Sequence, residues 1–174
     1  MARKFGISTA VIGALILTAG LALGAVNVKS YPTASFSGAS VTLTGGNFSG
    51  LGSVPANATL TATGSATYTC TNQGGNAAPG QNPVPAQPGT TTQGLGNADH
   101  NGRGTITNMT ASVTAPSPTP SAQSVGCGGT GSTKWTVTLN TLTATAAHLE
   151  ITQGGSLIFC RNYTLGGDPI GTAC

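Results

Sequence analysis

Charge is scarce in this chain: six basic and three acidic residues among 174, 5% in all. A coiled coil or helical bundle is excluded, because its solvent faces are built from Glu, Lys and Arg. Nucleic-acid binding through a basic stripe is excluded too, since the six cations are scattered along the chain. Aromatic residues are equally few, at 5%, which argues against the multi-aromatic surface of a carbohydrate platform. Helical periodicity is missing throughout. So are the local signatures of hydrolases and zinc sites: no Gly-x-Ser-x-Gly, no His-Glu-x-x-His and no Cys-x-x-Cys occurs. Highly charged disorder is excluded in turn, because 38% of the residues are hydrophobic.

What is present begins with a start unlike the rest. Arg3 and Lys4 precede an uncharged apolar and small-residue run from Ile7 to Leu23, followed by Ala22-Leu23-Gly24-Ala25. A basic start, an apolar middle and a small-x-small exit make a cleaved export signal over residues 1–24, with residues 25–174 as one domain. The competing reading, an uncleaved membrane anchor, is weakened by the glycines and threonines within the run. No membrane association is expected after cleavage. Without Arg3 and Lys4, four cations (Lys29, Arg103, Lys134, Arg161) face three carboxylates (Asp99, Glu150, Asp168), so the net charge falls from +3 to +1. The basic character belongs partly to export and implies no anionic partner.

All four cysteines lie beyond the signal, at Cys70, Cys127, Cys160 and Cys174. An even count in an exported chain reads as two disulfides. Of three pairings, Cys70–Cys127 and Cys160–Cys174 are preferred: one closes a long loop, the other ties down a terminal segment. Neither a metal nor a cofactor is expected.

Alternation of period two dominates. From Thr59 to Thr71, Leu60, Ala62, Gly64, Ala66, Tyr68 and Cys70 alternate with Thr or Ser, giving one small apolar face and one hydroxyl face. Shorter strands are expected at Val41–Thr44, Gly104–Thr114 (with an irregularity near Asn108-Met109) and Lys134–Leu139. Trp135, Val137 and Leu139 share a face in the last, and Leu142 is out of phase with them, implying a turn or bulge at Asn140-Thr141. Thr143–Thr152 and Leu157–Thr164 form a hairpin around Gly154-Gly155. The expected register sets Ile151 against Ile158, Leu149 against Cys160 and His148 against Arg161. Long loops are expected at 73–92, rich in Gly and Pro and without ladder-forming runs, and at 115–121. About seven or eight strands with Gly/Pro turns argue an all-β fold, a single antiparallel β-sandwich, immunoglobulin-like in the loose sense. A half-open barrel is the alternative.

The stretch Tyr68-Thr69-Cys70-Thr71-Asn72-Gln73-Gly74-Gly75-Asn76, continued by Pro79-Gly80-Gln81-Asn82, resembles small secreted β-rich proteins of actinobacteria of unestablished function. That resemblance implies a secreted domain of the cell surface or matrix and supplies no catalytic residues. A more distant similarity is to the secreted apoproteins that hold enediyne chromophores, small two-disulfide β-sandwiches. Their paired cysteines lie close in sequence, and the separation of 57 between Cys70 and Cys127 departs from that.

Candidate chemistry is sparse. Asp99 and His100 sit together in a polar turn, where turn-forming is the ordinary role of such residues. His148 and Glu150, two apart on a strand, point the same way about 7 Å apart. They could begin a metal site, but a third ligand is missing, and Arg161 diagonal to Glu150 reads as a charge pair on a solvated face. Leu157 and Phe159 fall on the outer face of the hairpin in the expected register. Together His148, Glu150, Leu157, Phe159 and Arg161 make a candidate interaction surface. The hydroxyl face of residues 59–71 could bind ice or a crystalline polymer, but without a fixed repeat the high β-propensity of threonine accounts for it. The expectation is therefore a secreted non-catalytic structural or interaction protein of the cell surface or extracellular matrix. It self-associates or meets an extracellular protein or glycan partner. The alternative is a secreted small-ligand or glycan-binding module.

Overall fold

The computed structural model describes residues 26–80, 83–95, 102–128 and 134–174. The expected export signal and the Asp99-His100 pair lie outside them. Among the described residues every regular element is a strand, and no helix is long and apolar enough to cross a membrane. In chain order these are β1 (Asn27–Ser30), β2 (Thr33–Ser37), β3 (Ser40–Thr44), β4 (Asn47–Ser49), β5 (Ala56–Thr71), β6 (Ala77–Pro79) and β7 (Val84–Pro85). They continue with β8 (Gly89–Gly94), β9 (Gly104–Thr105), β10 (Asn108–Ser112), β11 (Thr136–Gln153), β12 (Ser156–Thr164) and β13 (Thr172–Ala173).

All pairings are antiparallel. The largest sheet runs β13-β12-β11-β5, with β6, β7 and β8 each pairing a different stretch of β5. Two three-stranded sheets, β1-β4-β9 and β10-β3-β2, accompany it. The alternation read from residues 59–71 is realised in β5: Ala58, Leu60, Ala62, Ala66, Tyr68 and Cys70 are buried between partly or fully exposed threonines.

Four expected segments turn out differently. The strands foreseen at 134–139 and 143–152 are one strand, β11. The irregularity at Asn140-Thr141 is a bulge within it: Leu139 faces Tyr68, Thr141 faces Thr67, and Asn140 is skipped. Leu139 is 41% exposed and does not join Trp135 and Val137 against the core. A second irregularity falls between Ala144 and Ala146. Gly64 lies opposite Ala144, where a Cβ would run into the Thr143 carbonyl oxygen, so the close approach of the two strands requires glycine.

The expected strand at 104–114 is split. Gly104–Thr105 pairs with β4, while Asn108–Ser112 pairs with β3, and buried Ile106 sits at the crossing. The Pro-rich stretch 73–92, expected to form no ladder, supplies β6, β7 and most of β8. Pro79 and Pro85 are tolerated because these short strands lie outermost on β5, where a missing N–H leaves no neighbour unsatisfied. The 115–121 segment carries no strand.

One core cluster draws on all three sheets: Val41 and Leu43, Phe48, Leu60 and Ala62, Ile106, Met109, Leu149, Ile151 and Tyr163 are among its buried members. A smaller cluster sits at the far end of the β5–β11 ribbon, with Ala66, Tyr68 and Cys70 beneath Ala122, Val125 and Cys127, flanked by Trp135 and Val137. The disulfides are Cys70–Cys127 and Cys160–Cys174, the preferred pairing, with Cα separations of 6.2 and 5.8 Å.

Candidate interaction surface

The hairpin decides which candidate residues meet. Gly154 and Gly155, at φ 56° and 81°, make the expected two-residue turn, and Gln153 faces Ser156 and Thr152 faces Leu157. Beyond that point Ile158 is skipped and Ile151 faces Phe159. From there the register is shifted by one: Glu150 faces Cys160, Leu149 faces Arg161, His148 faces Asn162 and Ala147 faces Tyr163. The expected pairs Ile151–Ile158, Leu149–Cys160 and His148–Arg161 are therefore corrected. The cause is burial: without the bulge Asn162 would face the core and Tyr163 would face solvent. Tyr163 is instead 1% exposed within the main core, and burying an aromatic ring in place of a side-chain amide favours the bulged strand.

The bulge divides the five candidate residues between two faces. Leu157, His148 and Glu150 stay outside with Asn162 and the Cys160–Cys174 disulfide. Leu157 is 54% exposed and borders a shallow depression with Ile158, Phe159 and Cys160. His148 Nδ1 stands 2.7 Å from the Asn162 side-chain oxygen, and Nε2 stands 3.1 Å from Glu150 Oε1. The imidazole thus bridges a carboxylate on its own strand and an amide across the ladder. Cys174 Sγ lies 3.9 Å from the same Nδ1. Toward β5 this face continues into threonines: Thr61 pairs with His148 and Thr59 with Glu150. Their hydroxyls lie 3.4 and 3.3 Å from those of Thr90 and Thr92 on β8.

Phe159 and Arg161 turn to the other face. Phe159 meets Phe48 edge-on at 5.1 Å and stacks on Tyr31 at 6.3 Å between centroids. The Arg161 guanidinium carbon lies 4.0 Å over the Tyr31 ring, and Nη2 donates to Gly171 O at 2.7 Å. Arg161 Nε is buried with no hydrogen-bond partner among the described residues. The expected Glu150–Arg161 charge pair is therefore not formed. Arg161 serves a cation–π contact, and the contact to Glu150 comes from His148. Beside Arg161, the Tyr163 hydroxyl donates to Pro32 O at 3.4 Å. Burial pushes its pKa up to about 12, against the opposing pull of Arg161.

Sequence reasoning missed Asn162 and Tyr31, which become partners only through the bulge and through the placement of Tyr31 beside β12. It also missed a cleft of about 390 Å³ lined by Lys29, Asn47, Phe48, Ser49, Arg103, Gly104 and Thr105. Central β4 brings together two cations far apart in sequence, from β1 on one side and the start of β9 on the other. No local pattern announces that. Among the described residues no group of three or more His, Cys, Asp or Glu side chains could hold a metal ion. In comparisons with protein-family models, curated proteins and solved structures, nothing matches this chain.

Proposed function

We propose that the chain is a secreted, non-catalytic structural or interaction protein of the cell surface or extracellular matrix that associates with its own copies. Its sheets are read as one antiparallel β-sandwich, immunoglobulin-like in the loose sense, and the main core shared by all three sheets supports that reading. Two disulfides suit an oxidising compartment, and the sequence-level export signal agrees with it.

The observation that carries the reading is the sheet β10-β3-β2. Across its outer face run Ser37-Ser40-Ser112, Ser35-Thr42-Thr110 and Thr33-Thr44-Asn108, nine uncharged polar positions in register. The Ser40 and Ser112 hydroxyls are 2.7 Å apart, and those of Thr42 and Thr110 are 2.9 Å apart. β2 ends this sheet, and it carries no charge and no proline. Edge strands of that kind are open to pairing with another chain. Along that edge, Ala34 N–H donates to Pro169 O at 2.8 Å, which covers part of it.

Sedimentation velocity of the oxidised protein over rising concentration tests the reading. The weight-average sedimentation coefficient rises with concentration, and Ser35→Lys, which puts a charge on the exposed edge strand, suppresses the rise. A strict monomer at high concentration overturns it. The cleft beside Lys29 and Arg103 favours one second reading, a small-ligand or glycan-binding module. Its volume of about 390 Å³ falls within the usual range for ligand sites, and a ligand-dependent rise in melting temperature across a glycan panel distinguishes it.

A further inference from the structure

The two disulfides sit in opposite surroundings. Cys70 and Cys127 are 0% and 3% exposed inside the smaller core cluster. Cys174 is exposed and Cys160 half-buried on the outer face of the hairpin. Only the outer pair has an ionisable side chain at its sulfur among the contacts of the described residues: His148 Nδ1 is 3.9 Å from Cys174 Sγ. The same ring is held on its far side by Glu150 Oε1, 3.1 Å from Nε2. Asn162 on β12 also bonds Nδ1, and Thr61 on β5 stands opposite on the ladder. A sulfur, an imidazole and a carboxylate in that order form the relay by which proteins assist a departing or attacking thiolate.

We propose that Cys160–Cys174 is a thiol–disulfide exchange site that takes an external dithiol as its substrate. One thiolate of the dithiol attacks the exposed Cys174 Sγ, the Cys160–Cys174 bond breaks, and its electron pair leaves on Cys160. The second thiolate then attacks the substrate sulfur of the mixed disulfide. The substrate disulfide forms, and Cys174 departs as a thiolate that takes a proton from His148 Nδ1. The dithiol loses two electrons and the cysteine pair gains them. His148 acts on the reacting sulfur, while Glu150 is a positioning residue that holds the ring. This is a stoichiometric exchange that goes beyond the scaffold role, and its mixed-disulfide intermediate could tether the chain covalently to a thiol-bearing partner.

The test uses the folded, oxidised full chain with dithiothreitol as the dithiol, quenched at intervals with an alkylating reagent and digested with trypsin. Cleavage after Lys29, Arg103, Lys134 and Arg161 places each cysteine on its own peptide. Cys160 and Cys174 are labelled at least about tenfold faster than Cys70 and Cys127, as expected when thiol access sets the rate. His148→Gln slows release of Cys174 from the mixed disulfide, read as labelling of Cys174, by about tenfold at neutral pH, a modest effect for proton transfer by a positioned side chain, and changes its pH profile. Glu150→Gln changes the pH profile in the same sense by less. Opening of Cys70–Cys127 is unchanged in both variants, which also shows that they are folded. Equal opening of the two disulfides, or a His148→Gln profile identical to that of the parent chain, overturns the proposal.

Discussion

The β5–β11 ribbon is covered in two different ways along its length. At one end Ala58, Leu60, Leu149 and Ile151 pack against residues from the two smaller sheets, among them Leu43, Phe48 and Met109, and against Ile106 between them. At the other end Ala66, Tyr68 and Cys70 are covered by Ala122, Val125 and Cys127, which come from a segment without strands. A sheet brings its own ladder of hydrogen bonds to the interface and holds its inner face in place cooperatively. A strandless segment has few such bonds, here turn contacts such as Cys127 N–H to Ala122 O at 2.7 Å. It loses more conformational entropy for each apolar contact it makes. A covalent link across a long stretch of chain removes part of that loss from the unfolded state. The disulfide therefore does at the far end what a second sheet does at the near end.

That contrast sets the largest expected effect. In the chain-entropy account, a link over 57 residues stabilises by about 4 kcal/mol and one over 14 residues by about 3 kcal/mol. Replacing both Cys70 and Cys127 with Ala therefore lowers stability more than replacing both Cys160 and Cys174, as read from urea midpoints. It also exposes residues 122–127 to limited proteolysis while the sheet-covered end stays resistant. A larger loss from the Cys160–Cys174 variant, or proteolysis spread evenly along the ribbon, would break the contrast.

The second effect belongs to the sheet-covered end. Tyr163 is buried and its pKa is raised to about 12 from an ordinary 10. Below pH 10 the phenol is protonated in both the folded and unfolded chain, and its burial counts in full. Between pH 10 and 12 the unfolded chain gives up the proton while the folded chain keeps it, so stability falls as pH rises through this window. A two-unit difference corresponds to at most about 3 kcal/mol. Tyr163→Phe removes this part of the alkaline loss, so the urea midpoints of parent and variant converge or cross on going from pH 9 to pH 12. Parallel curves would show that the hydroxyl is not held in its neutral form.

Much of this architecture is legible in the sequence, and the parts that are not share a cause. The two faces of β5 follow from strict alternation, and the glycine turn of the hairpin from Gly154-Gly155, because both signals lie within a few residues. The bulge at Ile158 has no such signal. Ile158 and Phe159 are both apolar, and either could face inward. The choice is made by Tyr163, Phe48 and Tyr31, the last two more than a hundred residues away in sequence. That single skipped residue separates Phe159 and Arg161 from His148 and Glu150, so the five candidate residues lie on two faces rather than one. The stretch 73–92 misleads for a related reason. Its prolines rule out a central strand, and only the course of β5 beside it reveals an outer edge where proline is acceptable.

The smallest effect probes the outer face of the same ribbon. At the loop-covered end the Thr67 and Thr141 hydroxyls are 2.6 Å apart, a short hydrogen bond across the ladder. At the sheet-covered end Thr61 and Thr90 are 3.4 Å apart, near the limit for such a bond. Valine keeps the β-branched shape of threonine and its high strand propensity, so replacement isolates the hydroxyl. Thr67→Val costs about 0.5 to 1 kcal/mol, limited because exposed Thr141 can turn to water. Thr61→Val stays within about 0.5 kcal/mol of the parent. A double-mutant cycle on Thr67 and Thr141 then shows a measurable coupling, and one on Thr61 and Thr90 shows none. Equal couplings at both ends would mean that the hydroxyl face is only a solvated surface, and that the ends of the ribbon differ in what covers their inner side alone.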